Sequence, residues 1–407
     1  MSTGPGAERF DERRLLVALF GAGTAAFAQL YAPQSVLPDA ARELATSASA
    51  TALLVSAATL GLAVGVLPWA WVADRVGRVR AMTFAMLGAT AVGLAIPFAP
   101  TFGLMVAGRA AEGLLVAGVP AVAMAYLTET LIDAGAASAV PRAAGTYVAG
   151  TSMGGLLGRL VAGGVAELFG WRAGVGAVAV ACLVATLVFI WLAPRDRTPS
   201  KDRTPSKDRT PSEDEVPDGG RAGRLKVLLS PRLLALDAQG LLLMGGFVAV
   251  YNYLGFRLAD EPFGLSSGVV SLVFLAYLAG TWSSARTGRL VVRHGRRRVL
   301  IVSTGVMAGG VAATLSAWLP LVLVGLVVLT AGFFGAHAVA SGWTPVAAPG
   351  ARTQAAAVYN LAYYAGSSVF GWLGGVGFAL AGWPGTVGMV LALVAVAMRL
   401  ATAVLRD

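Results

Sequence analysis

Cysteine, histidine and charge are all scarce in this chain. Cys182 is the only cysteine in 407 residues, which excludes an internal disulfide framework and a thiolate metal site. Two histidines and no grouping of a nucleophile with a base leave no constellation for an intramembrane enzyme. No GxxxxGKS or GxxxxGKT stretch occurs, so an ATP-driven pump of the P-loop kind is disfavoured, and neither cofactor nor metal is expected. Charged residues make up only 13% of the chain against 57% hydrophobic ones. With a mean hydropathy of +0.72, that balance belongs to a membrane protein. The net charge of +10 comes without a basic and aromatic module, so no nucleic-acid partner is expected.

What fills the chain is apolar stretches of the length a helix needs to cross a bilayer. They run over residues 15–31, 52–71, 81–98, 102–127, 143–165 and 173–193, then over 233–256, 269–285, 299–318, 321–343, 355–379 and 387–404. Twelve spans put both termini on one side. With the N-terminus taken as cytoplasmic, only Arg42, Arg172 and Arg257 of the 31 basic residues fall in outside loops, and Arg109 and Arg159 lie inside spans. The charge therefore reads as topology, with both termini cytoplasmic in a bacterial inner membrane. The first run, in which "AFA" precedes Gln29, reads as an uncleaved first helix, since cleavage there would break the six-plus-six count.

The polar interval between the sixes separates residues 1–194 from 231–407. It holds "DRTPSKDRTPSKDRTPSE", a hexapeptide written three times, and such composition predicts a disordered cytoplasmic tether over 195–230. The two sixes repeat one another. "WVADRVGRVR" at Trp71 to Arg80 returns as "LVVRHGRRR" at Leu290 to Arg298, with Arg75, Gly77, Arg78 and Arg80 matching Arg293, Gly295, Arg296 and Arg298. Tyr147, Gly154, Gly163, Gly170 and Trp171 return as Tyr359, Gly366, Gly375, Gly382 and Trp383. Homologous six-helix halves are a design of secondary transporters whose substrate site lies between the halves near the midplane.

"ADRVGRVR" resembles the signature between helices 2 and 3 of the major facilitator superfamily, and "GRAAEGLLVAGVPAVAMAYLTE" at Gly108 to Glu129 resembles its helix-4 arginine motif. The second half keeps the glycine at Gly288 but has Val292 in place of the acid. The resemblance covers nearly the whole chain and is strongest to bacterial efflux permeases of the drug:proton antiporter branch. It implies an all-α membrane fold of two pseudo-symmetric six-helix bundles, a monomer that exports drugs or metabolites in exchange for protons. It also places the start of helix 11, near Arg352 and Thr353, beside Asp74. Asp74, Arg75, Gly77, Arg78 and Arg80, with Glu129 pairing Arg75 or Arg78, are then a conformational latch. A charge at a helix end is worth roughly 0.3 to 1 kcal/mol, enough to bias two states of similar energy.

Ionisable residues inside spans are costly and mark function. Arg109 and Glu112 share a face of the fourth span at i and i+3, and Arg159 lies at matching depth in the fifth. The three are expected to form one buried network that couples to charge or protons. Asp237 and His337 are the other titratable candidates, His being the side chain most easily moved across neutral pH. Substrate contacts are expected from Tyr31, Tyr147, Thr151, Tyr251, Asn252, Tyr359, Asn360, Tyr363 and Tyr364, whose amphipathic rings and amides suit small organic molecules. Gly150, Gly154 and Gly158, four apart, are expected to let helices approach closely. A proton-independent facilitator, or a lipid or sugar transporter of the same fold, is the alternative reading.

Overall fold

The computed structural model describes residues 11–193 and 220–406, and every regular element among them is helical. The first bundle comprises α1 (Glu12–Glu43), α2 (Ala48–Val76), α3 (Arg78–Phe98), α4 (Phe102–Asp133), α5 (Val140–Phe169) and α6 (Trp171–Leu192). The second comprises α7 (Pro231–Ala259), α8 (Ser267–His294), α9 (Arg296–Ala313), α10 (Leu319–Val346) and one long helix, Arg352–Ala403. That helix is broken by non-helical dihedrals at Ala381 and Gly382, which divides it into α11 (352–380) and α12 (383–403). Among the described residues, nine helical segments meet a span's length and apolarity, the long one counted once. Two more complete the twelve. α5 carries Arg142, Arg159 and Glu167, and α9 opens on three arginines, so charge dilutes their apolar signal. The tripled hexapeptide lies outside the described residues; of the interval expected to be a tether, Gly220–Leu228 is helical.

The repeat is built on glycines that reverse the chain without a loop. Gly77 between α2 and α3 has φ 94° and ψ 156°, and Gly295 between α8 and α9 has φ 81° and ψ 156°. Gly170 and Gly382 turn α5 into α6 and α11 into α12, also at positive φ. A side chain is strained in that region, which is why the glycine recurs in both halves. Each "GW" tryptophan is buried at the turn: the indole of Trp171 donates to Glu43 at 2.7 Å and that of Trp383 to the carbonyl of Thr314 at 2.9 Å.

Within each half the packing follows small residues. A Cβ on Gly150, Gly154 or Gly158 of α5 would run into the backbone of Phe20, Thr24 or Ala28, one turn apart on α1. Gly366 on α11 is pressed in the same way against Leu241 of α7. Tyr147 lies over Gly23, with 3.2 Å from its ring to where a Cβ would be, and Tyr359 lies over Gly240 at 3.1 Å. Without a hydrophobic driving force between helices in lipid, such close approach is what holds a bundle together.

Candidate substrate chamber and coupling groups

The face that carries both ends of the described chain is the near face, and the opposite one the far face. The hydrogen bonds seen between described residues of the two halves lie in the far half of the spans. Ser368 Oγ donates to the carbonyl of Ser56 at 2.8 Å, and Gln34 Nε2 donates to Asn252 Oδ1 at 2.6 Å. Arg159 Nη2 donates to the hydroxyl of Tyr277 at 3.1 Å. Closest to the far surface, Ser267 Oγ donates to the carboxylate of Asp39, and the backbone N–H of Gly268 donates to Glu167 Oε2 at 2.9 Å. These two residues open α8. Its own N-cap, Ser266, makes no capping bond, and Glu167 of the other half caps it instead. A cleft of about 600 Å³ lies over this seam, lined in part by Asp39, Arg42, Glu43 and Glu167.

The near face contrasts with this closure. Asp74 and Arg352 are exposed, and α11 begins at Arg352 behind Ala351, whose side chain makes no cap; the contact expected between Asp74 and the start of helix 11 is not made among the described residues. Glu129 takes Arg78 of its two expected partners, with Arg78 Nε and Nη2 donating to the two carboxylate oxygens at 2.6 and 2.5 Å. Arg75 instead stacks on Trp71, 3.3 Å from the ring centroid. On the second half's copy, Arg297 donates to the carbonyl of Thr402 at 2.6 Å, and Val292 is 90% exposed.

Between the halves, beneath the far closure, aromatic rings of both halves gather. Tyr31 and Tyr147 from the first half meet Tyr363 and Tyr364 from α11, with Tyr31 beside Ser367 and Tyr147 beside Tyr364. Asn360 stands one turn below Tyr364 on the same face and is exposed. Thr151 lies with Tyr147 against Gly23. Tyr277 is central to the C-terminal wall, 5.5 Å from Phe247, 5.2 Å from Tyr251 and 5.8 Å from Phe334 between centroids. Tyr251 departs from its expected lining role: it is buried behind Tyr277, with its hydroxyl 2.8 Å from that of Thr330. Asn252 is likewise buried and joins the halves through Gln34, while donating to the carbonyl of Gly371 at 3.1 Å.

The three buried charges expected in one network fall into two places. Arg109 and Glu112 pair directly, both almost wholly buried, and Arg109 donates further to the carbonyls of Leu54, Gln29 and Leu30. That guanidinium ties α1, α2 and α4 together. Gly93 leaves room for the pair, since a Cβ there would lie 2.7 Å from Glu112 Oε1. Arg159 is not with them, because α5 turns its polar face toward the other half. Its Nε donates to Gln34 Oε1 at 2.7 Å and its Nη1 to the carbonyl of Gly155. The rings of Tyr31, Phe274 and Tyr277 surround it at 4.4 to 4.8 Å.

The remaining titratable candidates meet in the second half. His337 Nδ1 lies 2.9 Å from the hydroxyl of Tyr359, and Asp237 stands beside the same tyrosine. Asp237 is 9% exposed, and its Oδ1 has no hydrogen-bond partner among the described residues. The His337 ring contacts Tyr363 at 4.7 Å between centroids, which joins this trio to the rings between the halves. Gln34, Tyr277, Asp39 and Glu167 were not picked out by the sequence reading. Gln34 falls just past the first apolar run and Glu167 just past the fifth, so neither carries a signal until the opposing half is in view.

Two repeated six-helix bundles with aromatic rings between them, whose described residues hydrogen-bond across the halves toward the far face, define a secondary transporter that works by alternating access. The chain belongs to the major facilitator superfamily: the family model, Major Facilitator Superfamily, matches residues 18–285. It is similar to the Escherichia coli inner membrane transport protein YnfM, 36% identical over 365 residues that cover 89% of this chain and 84% of that protein. It is also similar to the uncharacterized MFS-type transporter YybF of Bacillus subtilis, 33% identical over 368 residues, 89% and 86% of the two. Among solved structures, the nucleoside transporter NupG superposes with a TM-score of 0.77 at 12% identity, covering 96% of this chain and 100% of that one. A bacterial homolog of the human lysosomal transporter Spinster, inward-facing and occupied, gives 0.77 at 14% identity, with 98% and 97% covered. The chain is thus a multi-pass membrane transporter and not an enzyme.

Proposed function

We propose that this transporter exports small organic molecules from the cytoplasm in exchange for protons, as a monomer. The lopsided arginine distribution supports a cytoplasmic near face, which makes the present arrangement inward-facing, and the interval over 195–230 a tether on that side. The observation that carries proton coupling is the trio Asp237, Tyr359 and His337. A carboxylate with an unpartnered buried oxygen, beside a tyrosine bonded to a histidine, is a place where a proton can be taken up and given back inside a bundle. Glu112, by contrast, is occupied by Arg109 and suits a fixed structural charge. Asp74 closes on the uncapped start of α11 when the near face shuts, as Glu167 closes on α8 at the far face. The two contacts alternate.

In everted membrane vesicles carrying the protein, a panel of small aromatic compounds should include one that accumulates when a proton gradient is imposed and stops accumulating when nigericin collapses it. Movement that ignores nigericin would favour the proton-independent facilitator.

A further inference from the structure

Arg159 raises a question that the exporter reading leaves open. A guanidinium 1% exposed in the middle of a membrane protein carries a full charge, yet no carboxylate pairs with it among the described residues. Burying a charge without a counter-charge is costly, and such residues persist where the charge meets something that comes and goes. All of its partners are neutral: Gln34, the carbonyl of Gly155, the hydroxyl of Tyr277 and three ring faces. The bond to Tyr277 crosses between the halves, so it breaks each time they part at the far face. It leaves Nη2 needing an acceptor.

We propose that Arg159 binds the anionic head of the transported compound, and that the substrates are flat aromatic organic acids bearing one carboxylate. The assignment rests on the exporter reading for direction only. The aromatic body is argued from the rings at hand: Tyr31 and Tyr277 lie against the guanidinium from the two halves, and Tyr363 and Tyr364 of α11 stand near Tyr31. Tyr147, nearer the near face and beside Tyr364, has a buried hydroxyl with no hydrogen-bond partner among the described residues. A planar carboxylate matches the fork of an arginine, which offers two parallel N–H donors.

The other charged and titratable groups agree with that sign. Glu112 faces Gln29 and Gly93 within the first bundle and is neutralised by Arg109, so it cannot balance Arg159. His337 bonds Tyr359 and stands with Asp237 toward the near face. Asp237 precedes Phe247, the neighbour of Tyr277, by ten residues of α7, roughly 15 Å along the axis. The anion and the exchanged proton therefore occupy separate places. A lipophilic cation seated among these rings would instead lie beside an uncompensated positive charge.

The test is binding to the full chain in lipid nanodiscs, measured by titration calorimetry with three probes of one shape: 2-naphthoate, 2-naphthamide and 2-naphthylmethylammonium. The naphthoate should bind at least about tenfold more tightly than either of the others, and Arg159→Gln should erase that preference while Arg159→Lys keeps part of it. Tyr277→Phe, which leaves the buried charge in place, provides a second reading that does not depend on the fold of Arg159→Gln. It removes the hydroxyl that the carboxylate displaces, so naphthoate should bind about threefold more tightly with naphthamide unchanged. Equal binding of the three probes, or tightest binding of the ammonium, would overturn the proposal. Proton-driven movement of the ammonium without naphthoate binding overturns the anion site and leaves the exporter standing, whereas naphthoate binding without gradient-driven movement upholds the site and removes the coupling.

Discussion

The two halves place the same tyrosine over the same glycine and then use it differently. Tyr147 covers Gly23 on α1, and its hydroxyl has no hydrogen-bond partner among the described residues; Tyr359 covers Gly240 on α7, and its hydroxyl meets His337. Three residues before each glycine, one turn lower, α1 has Phe20 where α7 has Asp237. The scaffold is repeated and the chemistry is not. In the first half two of the three buried charges, Arg109 and Glu112, are paired and tie three helices; in the second, the buried acid has an oxygen without a partner among the described residues, beside the His337–Tyr359 pair. A repeat needs both copies to pack alike. Exchange of a proton needs only one site, so only one copy has to keep a group whose protonation changes.

The shared scaffold should break symmetrically and hardest. Gly154→Leu and Gly366→Leu each drive a side chain into the backbone of the partner helix, and each should abolish folded, monodisperse protein in size-exclusion chromatography. Survival of one but not the other would show that the halves pack by different rules.

The paired charges come next. Glu112→Gln leaves the guanidinium of Arg109 without its carboxylate and should cost about 3 to 5 kcal/mol, read as a large fall in melting temperature. Arg109→Gln should be at least as damaging, because three carbonyls lose their donor as well. Adding Arg159→Gln to Glu112→Gln should not restore stability, since those two side chains belong to separate networks.

A smaller effect separates the two tyrosines. Tyr359→Phe removes one buried hydrogen bond and should destabilise by about 1 kcal/mol, whereas Tyr147→Phe should leave the melting temperature within about 0.5 kcal/mol of the parent. Equal losses would mean that the hydroxyl of Tyr147 has an unseen role in the empty protein.

The smallest effect concerns the two faces. Glu167→Gln weakens the cap on α8 by roughly 0.3 to 1 kcal/mol and should shift the population toward the far-open form by about two- to fivefold. Asp74→Asn should shift it the opposite way. Distances between spin labels across each face measure both, and a shift of the same sign for the two variants would dissolve the idea of alternating latches.

Much of this architecture is legible in the sequence alone. Span lengths show in the apolar runs, and the positive-φ glycines show in the repeat, because a tight reversal admits no other residue easily. The pairing of Arg109 with Glu112 was legible from their spacing, since i and i+3 share a face whatever the rest of the chain does. Arg159 was misassigned for a physical reason: depth in the membrane is fixed by sequence position, but which neighbour a helix face meets depends on its rotation within the bundle. The triple of Tyr251, Asn252 and Tyr253 shows the same limit. Three consecutive residues point in three directions about 100° apart, so one lies behind Tyr277, one joins the halves, and Tyr253 bonds the carbonyl of Trp372.

The claim on which the account turns is that the second half alone carries the exchanged proton. The direct measurement is proton movement, reported by an entrapped pH dye, when 2-naphthoate is added to liposomes containing the parent chain, Asp237→Asn or Tyr147→Phe. The parent and Tyr147→Phe should give a proton signal on adding the compound, and Asp237→Asn should remain folded, bind the compound and give none. A full proton signal from Asp237→Asn would contradict the account and return the coupling role to the first half.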